Sequence, residues 1–99
     1  MDQPIYKVWT MKYKDAWYQL TPEQQKDRLA KVEESLKSVG AELVMMRVSV
    51  WASEECLAWG VEKYPNLQAV QQHAMNLFAM NHFYYVEGSS HLGVEMPVM

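Results

Sequence analysis

One cysteine, Cys56, is all the thiol chemistry this 99-residue chain has. A lone thiol excludes an intrachain disulfide and any site built from several thiolates. Glycine and proline are scarce too, four of each, and neither a Gly-rich phosphate loop nor a Pro-rich linker is present. Nine Lys and Arg stand against twelve Asp and Glu, a net charge of −3. That leaves no cationic field for a phosphate backbone, so nucleic acid is not an expected partner. No apolar run approaches the roughly 20 residues of a spanning helix. The start, Met1-Asp2-Gln3-Pro4, lacks the basic and apolar regions of a signal peptide. The expectation is a cytoplasmic chain with no membrane partner. GxSxG and CxxC are missing as well, which leaves serine hydrolysis and dithiol redox poorly supported. What the chain does have is 49% hydrophobic and 12% aromatic residues, enough for one core and hence one domain over residues 1–99.

Residues Tyr6 to Tyr13 alternate and are rich in aromatic and β-branched types, which predicts a strand. Lys14 to Leu20 carries Trp17 and Tyr18 without a period and reads as a loop. Thr21-Pro22-Glu23-Gln24 is a helix start: Thr21 caps, Pro22 takes the first turn and Gln24 closes a capping box. That helix runs to Gly40, which suits a left-handed terminator. Its apolar stripe is Leu29, Val32, Leu36 and Val39, and Asp27–Lys31 and Glu33–Lys37 pair on the wet side. Ala41 to Trp51 is a strand apolar on both of its faces, a pattern of burial from two sides. Ala52 to Glu55 is a polar turn, and Cys56 to Lys63 alternates as the next strand. Asn66 caps a second helix from Leu67 to about Met80. Leu67, Val70, Ala74 and Leu77 form its predicted stripe, with His73 and Met80 along one edge. Phe83 to Glu87 reads as a last strand before the tail from His91.

The order strand–helix–strand–strand–helix–strand is an α+β, ferredoxin-like βαββαβ arrangement. Right-handed crossovers place both helices on one face of a four-stranded antiparallel sheet. The other face is then bare, and a second copy of the chain is its economical cover.

With the loop Asp15-Ala16-Trp17-Tyr18-Gln19-Leu20-Thr21-Pro22-Glu23-Gln24-Gln25 and the stretch Trp59-Gly60-Val61-Glu62-Lys63-Tyr64-Pro65-Asn66-Leu67-Gln68-Ala69-Val70, the chain resembles the dimeric α+β-barrel superfamily. Within it the chain resembles the antibiotic-biosynthesis monooxygenase-like small proteins. The resemblance implies a homodimer with a ligand pocket in each subunit, between helices and sheet. It also implies chemistry on a flat apolar or aromatic molecule, oxygenation or an isomerase-type proton transfer, without a cofactor. Haem-degrading members of the superfamily place an axial His on the second helix. By that resemblance His73 is the iron ligand if haem is bound, although the Asn those members carry on the first strand has no counterpart between Tyr6 and Tyr13.

The residues themselves nominate His73 first. Its unperturbed pKa near 6.5 suits acid–base work or metal ligation, against the plain alternative of a half-buried structural imidazole. Asn76 and Met80 follow it one and two turns on. Arg47, in an otherwise apolar strand, is either a contact for a substrate oxyanion or an ion pair with Glu62 or Glu87. Trp9, Trp17, Tyr18, Trp59 and Phe78 are candidate walls, the Trp17–Tyr18 segment as a lid. His73, His82 and His91 lack metal-ligand spacing, and Cys56, after two acids, is a poor nucleophile. The site reading is therefore His73, Asn76 and Arg47 as catalytic polar groups, Trp9, Trp17, Tyr18, Trp59, Phe78 and Met80 against the ligand, and no metal unless haem. A dimeric ligand-binding module without chemistry is the third reading.

Overall fold

A computed structural model describes residues 3–52 and 56–96. Four strands, β1 (Ile5–Tyr13), β2 (Glu42–Val48), β3 (Ala58–Tyr64) and β4 (Val86–Val94), form one sheet in the order β2-β3-β1-β4. Every neighbouring pair is antiparallel. The helices are α1 (Asp15–Tyr18), α2 (Pro22–Ser38), α3 (Leu67–Ala79) and α4 (His82–Tyr85). The architecture is ferredoxin-like, with the two long helices on one face of the sheet.

Helix ends follow local chemistry. The Thr21 hydroxyl accepts from the Gln24 amide at 3.1 Å while the Gln24 side chain accepts from the Thr21 amide at 2.9 Å. At the other end Gly40, at φ +76°, donates to Lys37 O and Ala41 donates to Leu36 O. This is a Schellman stop that only a residue tolerant of positive φ closes cheaply. The predicted i,i+4 pairs are present at 3.2 Å each. Asn66 Oδ1 caps α3 through the Ala69 amide at 2.9 Å.

Burial alternates along β3: Ala58, Gly60, Glu62 and Tyr64 lie under the helices, and Trp59, Val61 and Lys63 face away. Register extends the two faces across the sheet. On the helix side, Lys7 lies opposite Glu62 and Trp9 opposite Gly60. On the bare side, Met45, Val61, Val8 and His91 form one row and Arg47, Trp59, Thr10 and Ser89 the next. The main apolar cluster joins Leu36, Ala41, Tyr64, Ala69 and Val70, with Ile5 and Val39 against it.

Several expectations are corrected. The Trp17–Tyr18 segment is a helical turn, not a loop. The last strand is Val86–Val94, because Asn81 at φ 62° ends α3 and His82–Tyr85 coil into α4 before the sheet resumes. The strict alternation of β2 breaks at a bulge between Leu43 and Met45, so Leu43 sits on the same side as Met46. Bulging is common at a sheet edge. On α3, Leu67 is half exposed and Ala74 exposed, and the buried stripe is Ala69, Val70, His73 and Leu77. The polar turn predicted at 52–55 lies mostly outside the described residues.

Candidate functional site

His73 occupies the middle of the buried stripe of α3, only 2% exposed. Across from it on α2 stands Ser35, three residues after Val32 and thus on that helix's core side; it is buried as well. Ser35 Oγ and His73 Nδ1 are 2.8 Å apart. The Asn76 amide donates to the same Ser35 oxygen at 3.0 Å, and Gln72 donates to Asn76 Oδ1 at 2.9 Å. Four side chains from two helices thus form one hydrogen-bonded chain ending on an imidazole.

The sheet supplies the floor. Tyr64 and Glu62 are two residues apart in β3 and share its helix side, both buried. The Tyr64 hydroxyl donates to Glu62 Oε1 at 2.6 Å. Burial first, and then this hydrogen bond and the Glu62 charge, push the phenol above its ordinary range, so Tyr64 remains a neutral donor. Its ring lies 6.1 Å from the His73 ring, centroid to centroid. Burial lowers His73 from 6.5 to about 4, with Lys7 and then His82 adding to the shift. The His82 imidazole moves in the same direction through burial, Arg28 and Lys7. Both rings are therefore neutral at neutral pH. Arg28 itself donates to Met80 O at 2.9 Å and lies 4.0 Å above the Tyr85 ring, tying α2 to the corner after α3.

Trp9 lies on the same side of the sheet two residues from Lys7, its indole against Gly60. A Cβ at Gly60 would collide with that ring, so glycine is required there by close approach. Trp9 Nε1 is buried without a partner among the described residues, and an unmet donor of this kind is costly.

The structure brings His73, Asn76 and Trp9 to the helix side, with Met80 at the end of α3, half-buried. It does not bring Arg47 or Trp59 to them. Both are on the bare side of the sheet, opposite each other in register, and a strand's alternation makes that placement unavoidable. Arg47 donates to Met46 O and pairs with neither Glu62, which Tyr64 holds, nor Glu87, which lies 3.8 Å from Lys12. Phe78 is 74% exposed on the outer side of α3. Trp17 is no free lid: it is buried and stacks on Tyr13 at 4.2 Å and 4°. Tyr18 is exposed beside it. Two surface depressions, of about 640 and 430 Å³, lie near Ser38, Asn66 and Met75 and near Pro4, Gly40 and Pro65; neither includes His73.

Ser35, Lys7, Arg28 and Tyr64 were not singled out from the sequence. Ser35 was the recoverable one, since it interrupts the apolar stripe of α2 at a core position.

The resemblance to haem-handling proteins is testable on these residues. An axial ligand needs room for a porphyrin at its open ring nitrogen, which in His73 is Nε2 because Ser35 holds Nδ1. His73 is buried with Tyr64 nearby, and α2 and α3 would have to separate from the sheet to admit a group as large as a porphyrin. The residues as arranged do not fit haem.

A four-stranded antiparallel sheet with a buried polar cluster under its helices defines a ferredoxin-like α+β protein. Among solved structures the chain is similar to two variants of chlorite dismutase from Candidatus Nitrospira defluvii, at 12% and 13% identity and TM-scores of 0.76 and 0.75. They are matched over 99% and 100% of this chain but 42% and 43% of theirs, so the chain spans less than half the length of those proteins. It is also similar to a hypothetical Arabidopsis thaliana protein of known solution structure, at 13% identity and a TM-score of 0.61, over 99% of this chain and 93% of the other. No family model and no curated protein matches the sequence. These likenesses show the fold alone.

Proposed function

We propose that the protein is a small-molecule enzyme of the antibiotic-biosynthesis monooxygenase-like kind. In this reading it is a cytoplasmic homodimer that takes a flat, largely apolar molecule between helices and sheet and acts on it by oxygenation or isomerase-type proton transfer. The observation that carries the reading is the chain Gln72–Asn76–Ser35–His73 set above Tyr64 and Glu62. Burying so many polar groups costs stability that an apolar core would not forgo, and perturbed ionisable groups gather at functional sites. Trp9, with its unmet donor, adds an aromatic wall that has a hydrogen bond to give. Chlorite dismutase, by its name, acts on a small molecule, which is in keeping with such a use of the fold.

The reading needs no cofactor: His73, already bonded at Nδ1, serves as a hydrogen-bonding group toward the ligand. The homodimer rests on the bare side of the sheet, where the row Met45–Val61–Val8 crosses three strands and Val8 is 45% exposed. Strand β2 is exposed along its whole length.

Titration of ¹⁵N-labelled protein with naphthalene derivatives tests the pocket. The indole N–H of Trp9 and the ring of His73 should shift together, and His73→Ala should abolish both the binding and the Trp9 shift. Shifts confined to Trp59, or to residues around Asn66 and Met75, would overturn the placement.

A further inference from the structure

The free polar atoms around His73 are nearly all donors, and the hydrogen-bond chain explains why. Asn76 is oriented by Gln72, whose amide occupies its oxygen, so Asn76 presents its N–H₂ to Ser35. The Ser35 oxygen is thereby an acceptor, and its own proton has one partner among the described residues, His73 Nδ1. Nδ1 accepts, and a neutral imidazole that accepts at Nδ1 carries its proton on Nε2. His73 Nε2 has no hydrogen-bond partner among the described residues.

Around it, Lys7 makes no hydrogen bond or ion pair among the described residues and bears on both His73 and His82. Arg28 bears on His82. Trp9 Nε1 is an unmet donor on the same side of the sheet. The opposing charge is the Glu62 carboxylate, across from Lys7 in register and bonded by the Tyr64 hydroxyl at one oxygen.

We infer that Ser35 and Asn76 are positioning residues that hold His73 as a neutral Nε2–H donor, and that the ligand meets this donor with an anionic oxygen, the carboxylate or phenolate of an organic acid. The inference rests on the small-molecule reading above and narrows its substrate class. A neutral donor is the suitable partner for an oxygen on which negative charge rests or develops, because it stabilises that charge without surrendering a proton. Lys7 adds the long-range attraction that a neutral ligand would not feel. The low affinity of the His73 ring for protons agrees with the donor role.

The test uses the whole protein with ¹⁵N-labelled histidine at pH 7. The free protein should show His73 Nδ1 as a bare ring nitrogen and Nε2 as protonated. Asn76→Ala, which leaves the buried Ser35 in place, should mix the two tautomers, and Ser35→Ala should do so more completely. The ligand side uses 1-naphthoate against the neutral isostere 1-naphthamide. Naphthoate should bind at least tenfold more tightly, and Lys7→Gln should remove most of that preference while naphthamide binding stays the same. A proton found on Nδ1, meaning an Asn76 amide turned the other way, overturns the positioning role. Equal affinity for the two probes overturns the anionic ligand and leaves the pocket standing. If neither probe moves a residue between helices and sheet, the small-molecule reading falls and this inference with it.

Discussion

The imidazole of His73 couples folding to acid. Its pKa is near 6.5 in an unfolded chain and about 4 in the folded one, so the unfolded state binds more protons between those values. Stability is full above pH 6.5 and declines as the pH falls toward 4, by about 3 kcal/mol in total. His82 shifts in the same direction and adds to the loss. Urea denaturation between pH 7.5 and 4 should show this decline, and His73→Gln should flatten much of it; an unchanged slope in the variant would assign the acid sensitivity elsewhere. Ser35→Ala leaves the buried Nδ1 and the Asn76 amide each short of a partner. It should therefore cost about 1–3 kcal/mol at pH 7, measured in the same denaturation experiment.

At the scale of elements, the sequence was most legible where structure depends on neighbours in the chain. The Thr21 capping box, the Asn66 cap and the Gly40 terminator are local bargains between side chain and backbone, and all three are present. Thr21→Ala should accordingly lower stability by about 1 kcal/mol, read as a fall in the urea midpoint with an unchanged slope. Legibility ended where tertiary contacts decide. Asn81 adopts the αL conformation and His82–Tyr85 coil after it, which delays the last strand by three residues, from Phe83 to Val86. The bulge after Leu43 breaks the two-residue alternation that a strand's sequence alone implies. On α3 the helix is rotated so that His73 lies within the buried stripe, because Ser35 and Tyr64 meet it there. Part of the site could be read for the same reason: His73, Asn76 and Trp9 share the helix side of the sheet. Arg47 and Trp59 do not, since their side follows from a register that a single strand does not reveal.

For the whole molecule, the two sides of the sheet have different tasks. One carries the polar cluster under the helices, and the other presents Met45, Val61 and Val8, followed along the strands by the polar pairs Thr10–Ser89, bonded at 2.8 Å, and then Lys12–Glu87. An apolar strip with a polar margin is the anatomy of an interface. Val8 is already half exposed, so Val8→Glu should leave the fold intact while shifting sedimentation from dimer to monomer. A folded Val8→Glu dimer would place the interface elsewhere. No helix is long and apolar enough to cross a membrane among the described residues. In the proposed function a buried, His73-centred site in each subunit of a homodimer holds an organic ligand. Native mass spectrometry of the purified protein, run beside His73→Ala, tests it most directly in one spectrum. The predicted result is a dimer that takes up one 1-naphthoate per subunit, with the variant still dimeric but empty. A monomer, or a variant that takes up the ligand as the native protein does, would contradict it.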